Sequence, residues 1–548
     1  MKLDFWPNTG AFTLQVPRAT GVQITDLMKQ HGLDFSQTRS KSNEAWLFTH
    51  EPYAAISFAD YATDRARQIL APSLEQIAAS QASACNSHIR VPSDKELWPF
   101  QKASVSYALN RNHSLIADQP GLGKTPIAIA FANEIRAKRV LCIVPANIRL
   151  QWERRIREWT TMPWPYTVYP ILGSRHGVHP TANWTVVSYD LARSPEIGAS
   201  LARGTYDLLI LDEAHYLKTN STRRTQAVFG GGLHHTFKSL ASRSGAVMAL
   251  TGTPLPNRPR EAYVLARNLC WDSIDFASEE DFRERFNPSM TMEGERYNEE
   301  TKEMERYVYV DERSGRHMEL QNRLRVNFMS RHLKHDVLPQ LKLPIFDIIQ
   351  VTETTAIKQA LAAERLLDID PETLQGADKK IDGQWAIVRH NMGVAMAPLI
   401  AEHVRMLFDG GEEKLVLAGW HHDVLDIWER ELQEFGVLRI DGNTTAKNKE
   451  ANVQEFIHNP RKRLIIGNMQ SMGVGTDGLQ EVCSHVLIGE PSPTPGDNEQ
   501  MVDRLNRIGQ AGTVQADFFV APNSIIERIL ASSLRKLQGI HSALDKKV

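Results

Sequence analysis

Cysteine is scarce in this chain, with four residues among 548, at positions 85, 142, 270 and 483. No two of them share the C-x-x-C spacing that grips zinc, so neither a structural zinc site nor a disulfide framework is expected. Long hydrophobic runs are also missing. The apolar stretches are strand-length and broken by charge, which excludes a membrane span, and Met1-Lys2-Leu3-Asp4 lacks the apolar core of a secretory signal. A cytoplasmic or nucleoid-associated location is the expectation. Nor does one sign of charge dominate: 63 Lys+Arg against 65 Asp+Glu give a net charge of −2. If the chain binds nucleic acid, its cations must line a cleft rather than coat the surface. No internal repeat or low-complexity tract is evident.

What is present is 42% hydrophobic residues spread over a length that exceeds one core, so two to four domains are expected. Short Val, Ile and Leu runs alternate with helix-like segments, the pattern of parallel sheets covered on both faces. A first set of strands is expected at 114–117, 140–144, 185–187, 208–211 and 247–250. A second set is expected at 415–418, 438–440, 464–466, 486–488 and 518–520. The fold class is therefore α/β with two parallel-sheet lobes, 91–275 and 344–548. The interval 276–343 is polar, and 290–316 within it looks like an insertion; a helical protrusion is expected. Residues 1–90 read as a small α+β accessory domain, with a strand at Ala45-Trp46-Leu47-Phe48 and a helix over 61–79. Ser524 and Glu527 have capping-box spacing ahead of an apolar stripe, which predicts a closing helix.

The chemistry begins at Asp118-Gln119-Pro120-Gly121-Leu122-Gly123-Lys124-Thr125, between an apolar strand and a helix-like run. Glycines 121 and 123 let backbone N–H groups approach a polyphosphate. Lys124 can reach its β/γ oxygens, and the Thr125 hydroxyl can hold Mg²⁺ at a helix N-terminus. Asp118 stands where the usual pattern has glycine, so the loop is identified by its strand, loop and helix context. These eight residues form the expected ATP-binding loop.

After the strand at 208–211 come Asp212 and Glu213, two carboxylates at a strand's C-terminal end, where α/β sheets collect ligands. Asp212 is expected to contact Mg²⁺ and Glu213 to orient and deprotonate the attacking water. The alternative reading of Asp212-Glu213-Ala214-His215 is an acidic helix cap. Thr251-Gly252-Thr253 end another strand at the level of the nucleotide and are candidates for sensing hydrolysis. In the second lobe Arg504 and Arg507 are three apart on one expected helical face, so both can reach one phosphate. An arginine delivered to a developing phosphoryl charge contributes about 10³ to 10⁵ in rate. Gly475 and Asp477 of the same lobe are further candidates for ATP contact, and Gln500 for coupling.

In order and wording these segments resemble a Swi/Snf-type ATPase of helicase superfamily 2, a DNA-dependent motor with two RecA-like lobes. The resemblance runs over roughly 91–540. Phe100-Gln101 resembles the adenine-reading glutamine motif, which implies a nucleotide contact for Gln101. Pro145 and Ser188 fall in segments resembling lobe-one DNA motifs. Asp212 to Lys218 reads DEAHYLK, and Arg331 with Lys334 falls in a segment resembling the family's basic stretch between lobes. Arg504 to Gln510 resembles the arginine-finger motif. Asn506, Ser330, Lys449 and Pro493 depart from the family pattern, and Lys449 keeps charge but loses the planar fork of arginine.

The resemblance implies ATP and Mg²⁺ as cofactors and double-stranded or forked DNA as partner. Arg223, Arg224, Arg331 and Lys334 are the phosphate contacts to test. The stripe Ile148, Trp152, Ile156 and Trp159 reads as core, with Arg154, Arg155 and Arg157 facing solvent opposite it. Lys414 to Trp428 resembles the annealing-helicase branch, and the region around Trp46 is a candidate substrate-recognition module. Three readings stay open: a DNA remodelling or annealing motor, a translocase that displaces a DNA-bound protein such as RNA polymerase, and a nucleotide-gated switch with little turnover. A microbial or viral source is expected.

Overall fold

Unbroken apolar strands can be buried only where helices cover both faces of a sheet, and they form the two central sheets in a computed structural model of the chain. The structure describes residues 1–17, 24–31, 33–35, 44–231, 239–255, 259–274, 278–287, 289–298, 303–312, 315–366, 383–473 and 476–544.

The N-terminal unit carries β1 (Lys2–Trp6), β2 (Ala11–Pro17), β3 (Asp34–Phe35) and β4 (Glu44–Thr49), antiparallel in the order β1-β2-β4-β3. Along β4 the burial alternates, with Ala45 and Leu47 inside and Trp46 on the other, half-buried face. The helix Asp64–Gln81 is capped by Thr63, whose hydroxyl accepts from Ala66 N, and it packs Ala66, Leu70 and Ile77 into this unit's core.

This unit is not a loose appendage. Glu51 meets Arg323 and Arg285, and both arginines also hold the fully buried Glu319, at 3.0 and 2.8 Å. A buried charge persists only with such partners.

Lobe one contains β5 (His113–Ile116), β6 (Val140–Val144), β7 (Val168–Pro170), β8 (Trp184–Ser188), β9 (Tyr206–Asp212) and β10 (Ser244–Leu250). The interval expected to be helical departs from that reading. Helices Glu279–Phe286 and His317–Asn327 flank an antiparallel hairpin, β11 (Ser289–Asn298) with β12 (Glu303–Glu312). The run Tyr307-Val308-Tyr309-Val310 has strand propensity that the surrounding charge obscured. Next, β13 (Met329–Ser330) returns to pair with β5, so this stretch belongs to the lobe-one sheet. The sheet is entirely parallel, in the order β13-β5-β10-β9-β6-β8-β7.

Lobe two is built on β14 (Ile345–Gln350), β15 (Leu415–Gly419), β16 (Leu438–Ile440), β17 (Leu464–Asn468), β18 (His485–Ile488) and β19 (Gln515–Val520). They are also all parallel, in the order β14-β19-β18-β15-β17-β16. The closing helix Ile525–Leu544 starts as expected: Ser524 Oγ accepts from Glu527 N, and the Glu527 carboxylate reaches back to Asn523 N. Among the described residues no helix is long and apolar enough to cross a membrane.

Candidate nucleotide site between the lobes

The loop after β5 turns into the helix Lys124–Glu134, whose N-cap Gly123 has φ 78°, while Gly121 has φ 87°. Both values lie in the left-handed region that L side chains avoid. Space imposes the same choice. A Cβ at Gly123 would lie 2.4 Å from Gln101 Nε2, and one at Gly121 would lie 2.5 Å from Arg507 Cβ. The second contact crosses the cleft, so the arginine segment of lobe two rests directly on the phosphate loop of lobe one.

Lys124, Thr125, Asp212, Glu213, Asp477, Arg504 and Arg507 all line this cleft. Lys124 Nζ donates to Asp118 O at 2.8 Å, and burial lowers its pKa while the charges of Glu213, Asp118 and Asp212 raise it. Asp212 ends β9. Its Oδ2 accepts from Trp152 Nε1 at 2.7 Å and its Oδ1 from Glu213 N at 3.0 Å. Burial, together with the neighbouring Glu213 charge, pushes its carboxyl up to about 6.

Glu213 sits in the left-handed region at φ 51°, a strained backbone of the kind that concentrates at working sites. Burial raises its pKa, but His215, Lys124 and Arg504 outweigh that and hold the carboxyl below its ordinary value. Glu213 is thereby kept ionised, as a base must be.

Lobe two supplies the positive charge. Arg507 Nη1 lies 2.5 Å and Arg504 Nη1 3.8 Å from Asp477 Oδ1. Burial opposes ionisation of Asp477, yet Arg507, Arg504 and Arg155 hold its carboxyl down at about 2. Arg504 is buried, and its Nε has no hydrogen-bond partner among the described residues. A buried donor without an acceptor is costly, and a phosphate oxygen would satisfy it. The positive-φ glycine cradle, the lysine and this donor fit a polyphosphate. Thr125 and Asp212 on the same wall fit a divalent cation with oxygen ligands.

Residues 100–357, from the glutamine motif through lobe one and into lobe two, match the SNF2-related domain family. The chain carries an SNF2-related domain. Among curated proteins it is similar to the DNA annealing helicase and endonuclease ZRANB3 of Bos taurus, 25% identical over 461 residues, covering 82% of this chain and 41% of that protein. It is likewise similar to the SWI/SNF-related matrix-associated actin-dependent regulator of chromatin subfamily A-like protein 1 of Xenopus laevis, 28% identical over 469 residues, covering 83% and 45%. The chain thus spans about two fifths of the length of these relatives. Among solved structures, the Sulfolobus solfataricus SWI2/SNF2 ATPase core in complex with dsDNA aligns over 83% of this chain and 98% of that one, at 17% identity and a TM-score of 0.37.

The segment Thr251-Gly252-Thr253 at the end of β10 connects the two lobes. His215 Nδ1 lies 3.2 Å from Glu213 Oε2 and 3.0 Å from Thr251 Oγ1. Thr253 N donates to Thr251 Oγ1 at 3.1 Å, and Gln500 Nε2 of lobe two donates to Thr253 Oγ1 at 3.4 Å. A path of hydrogen bonds therefore runs from His215, which lies within ion-pair distance of Glu213, into the helix Pro495–Val502, which leads to the arginines.

Several expected contacts are placed differently. The Asp118 carboxylate turns away from the phosphate loop and accepts from the His332 backbone and ring. Gln119 Oε1 accepts from Lys334 N, and Leu122 is core. Gln101 sits beside the loop, donating to Leu122 O at 2.9 Å.

Arg331 and Lys334, expected to hold DNA phosphates, are instead buried. Arg331 donates to Ala117 O and Gly252 O, while Lys334 Nζ engages Asp503 and Asn506 O of lobe two. They brace the domain interior. Pro145 is buried, and the buried Ser188 caps a helix by accepting from Leu191 N. Arg224 pairs with Asp190, and Arg223 is exposed on the same helix. Gly475 lies outside the described residues.

Two features escaped the sequence reading. Trp152 is core as expected, at 1% exposure, yet it also orients Asp212. Of the arginines expected to face solvent, Arg157 pairs with Glu153, but Arg154 reaches Glu450 of lobe two and Arg155 lines the cleft near Asp477. The basic face beside a nucleotide loop was the available signal. Lys449, the departure from the family arginine, is buried and donates to Ser471 O; burial and the Arg504 charge bring it down to about 7.

Proposed function

We propose that this chain is a DNA-dependent ATPase that tracks along double-stranded DNA and remodels DNA structures, such as forks or strands to be reannealed, without conventional unwinding. The observation that carries the ATPase part is the convergence of Lys124, Glu213, Arg504 and Arg507, from two separate lobes, on one cleft. Phosphoryl transfer requires positioning and charge stabilisation. Lobe one supplies the loop and the base, and lobe two supplies two guanidinium groups. Thr125 and Asp212 would hold Mg²⁺, which when bound neutralises phosphate charge. Hydrolysis then depends on lobe closure, so a nucleotide cycle becomes a mechanical cycle.

Two findings support the DNA part: the SNF2-related domain and the similarity to a protein described as a DNA annealing helicase. Arg223 is the exposed candidate phosphate contact. A nucleotide-gated switch has less support, because a switch need not bring both Glu213 and Arg507 to the same cleft.

Glu213→Gln is expected to bind ATP without hydrolysing it, and Lys124→Ala to lose turnover. ATPase stimulation is to be compared for duplex DNA, single strands, forks and RNA, followed by triplex displacement against strand separation. Robust stimulation by RNA alone would overturn the DNA assignment, and equal rates for wild type and Glu213→Gln would reject the base.

A further inference from the structure

His332 sits where three parts of the molecule meet, 3% exposed, between the N-terminal unit, β13 and the phosphate loop. Its Nε2 lies 3.0 Å from Ala82 O, just past the N-terminal unit's last helix. Its Nδ1 lies 2.8 Å from Asp118 Oδ1, the residue that opens the phosphate loop and whose carbonyl receives Lys124 Nζ. A carbonyl oxygen can only accept, so Nε2 carries a hydrogen. Asp118 Oδ1 already accepts the His332 backbone N–H at 2.9 Å, which marks it as an acceptor and makes Nδ1 a donor too. With both ring nitrogens donating, His332 is an imidazolium in a buried pair with an Asp118 carboxylate.

The same junction is fastened on either side. Ser80 Oγ donates to Met329 O at 2.7 Å, and Arg325 Nη1 donates to Ser80 Oγ at 3.2 Å. The charged groups facing the imidazole are Asp118 and Arg325; Ser104 and the Phe100 ring complete its surroundings.

We infer that His332 is a positioning residue through which the N-terminal unit sets the phosphate loop, so that ATP binding requires the imidazolium to bridge Ala82 and Asp118. This inference rests on the ATPase reading of the cleft. It goes further in making the N-terminal unit part of the nucleotide site rather than only a module for recognising DNA. When the ring loses its proton, one nitrogen must face an acceptor with a lone pair, and either the Ala82 contact or the Asp118 contact is lost. Burial and Arg325 disfavour the charged ring, but the Asp118 charge and hydrogen bond outweigh them and raise the His332 pKa. The bridge is therefore intact below the ordinary histidine range and fails as pH rises through the raised value.

The test uses the full-length chain with ATP and duplex DNA. For wild type, His332→Gln and Asp118→Asn, kcat and KM for ATP are measured across about pH 6 to 9, alongside binding of a fluorescent ATP analogue. Losing a charge-assisted bridge is expected to raise KM and Kd for ATP about tenfold, with kcat changed less than about threefold. The wild-type rise of KM at alkaline pH is expected to be absent from His332→Gln, and His332→Arg, which keeps the charge, to recover part of the affinity at high pH.

Hydrogen exchange in His332→Gln is expected to quicken at both 79–83 and 118–124. Nucleotide binding and exchange report on the bridge even without turnover, whereas Lys124→Ala tests the ATPase reading separately. A pH-independent wild-type KM, or unchanged ATP affinity in both His332→Gln and Asp118→Asn, would overturn the inference. Quickened exchange confined to 118–124 would overturn the link to the N-terminal unit.

Discussion

Replacing Gly121 by alanine tests whether lobe two must rest on the phosphate loop for hydrolysis. At φ 87° the new residue is in a region that costs an L-amino acid about 1–2 kcal/mol. Its Cβ would lie 2.5 Å from Arg507 Cβ and 3.2 Å from Arg507 Cα. Carbon atoms pack at about 3.5–4.0 Å, so the arginine segment must retreat by roughly 1 Å. A misplacement of that size costs about 10²-fold in a chemical step, short of the about 10³ to 10⁵ that an arginine contributes in full.

The Gly121→Ala variant is therefore expected to lose about 10²-fold in kcat. Its ATP affinity should change less than about tenfold, because the clash is with the Arg507 segment of lobe two and not with Lys124. Steady-state ATPase at saturating duplex DNA gives the first quantity and fluorescent nucleotide binding the second. The double variant with Arg507→Ala separates displacement from local damage. If displacement is the cause, the double should stay within about tenfold of Arg507→Ala alone. A Gly121→Ala enzyme turning over like wild type, or a double losing a further 10²-fold, would refute the reasoning.

Other outcomes follow from neighbouring contacts. Trp152→Phe removes the 2.7 Å donor to Asp212, a bond to an ionisable group worth about 1.5–3 kcal/mol, so kcat/KM should fall about 10- to 100-fold; a change under twofold would count against the orienting role. Arg154 and Glu450 meet across the cleft but are each nearly half exposed, so either charge reversal should alter ATPase less than about fivefold, and the double reversal should restore it. His485 lies between Asp517 and Glu412, whose hydrogen bonds and charges outweigh burial and raise its pKa. A raised folded pKa gives stability that is full below about 6.5 and lost as pH climbs through the folded value. The melting-temperature advantage of wild type over His485→Gln should accordingly shrink from about pH 6 to 9; a gap that widens would contradict it.

Ten of the thirteen strands in the two lobes were legible because buried parallel strands are written as local apolar runs, as in Val140–Val144 and Leu438–Ile440, whereas the edge strands β7, β13 and β14 were not expected. The meeting of Lys124, Asp212, Glu213, Arg504 and Arg507 in one cleft was legible because each sits in a short segment of distinctive residue types. What the sequence hid is pairing at a distance. Asp118 with His332, Trp152 with Asp212, and Arg154 with Glu450 are separated by 214, 60 and 296 positions, and no local pattern announces them. Arg331 and Lys334 were misread for a related reason. A basic cluster reads as a surface until the fold supplies the carbonyls and the Asp503 carboxylate that bury it. The hairpin at Ser289–Glu312 was hidden by charge on strands that read as an insertion.

The central claim is that the lobe-two arginines complete a site whose loop and base belong to lobe one. Single-turnover hydrolysis by Arg507→Ala, at saturating ATP and duplex DNA, tests it most directly. The expected result is a rate at least about 10³-fold below wild type with nearly unchanged ATP affinity. A wild-type rate would contradict the account.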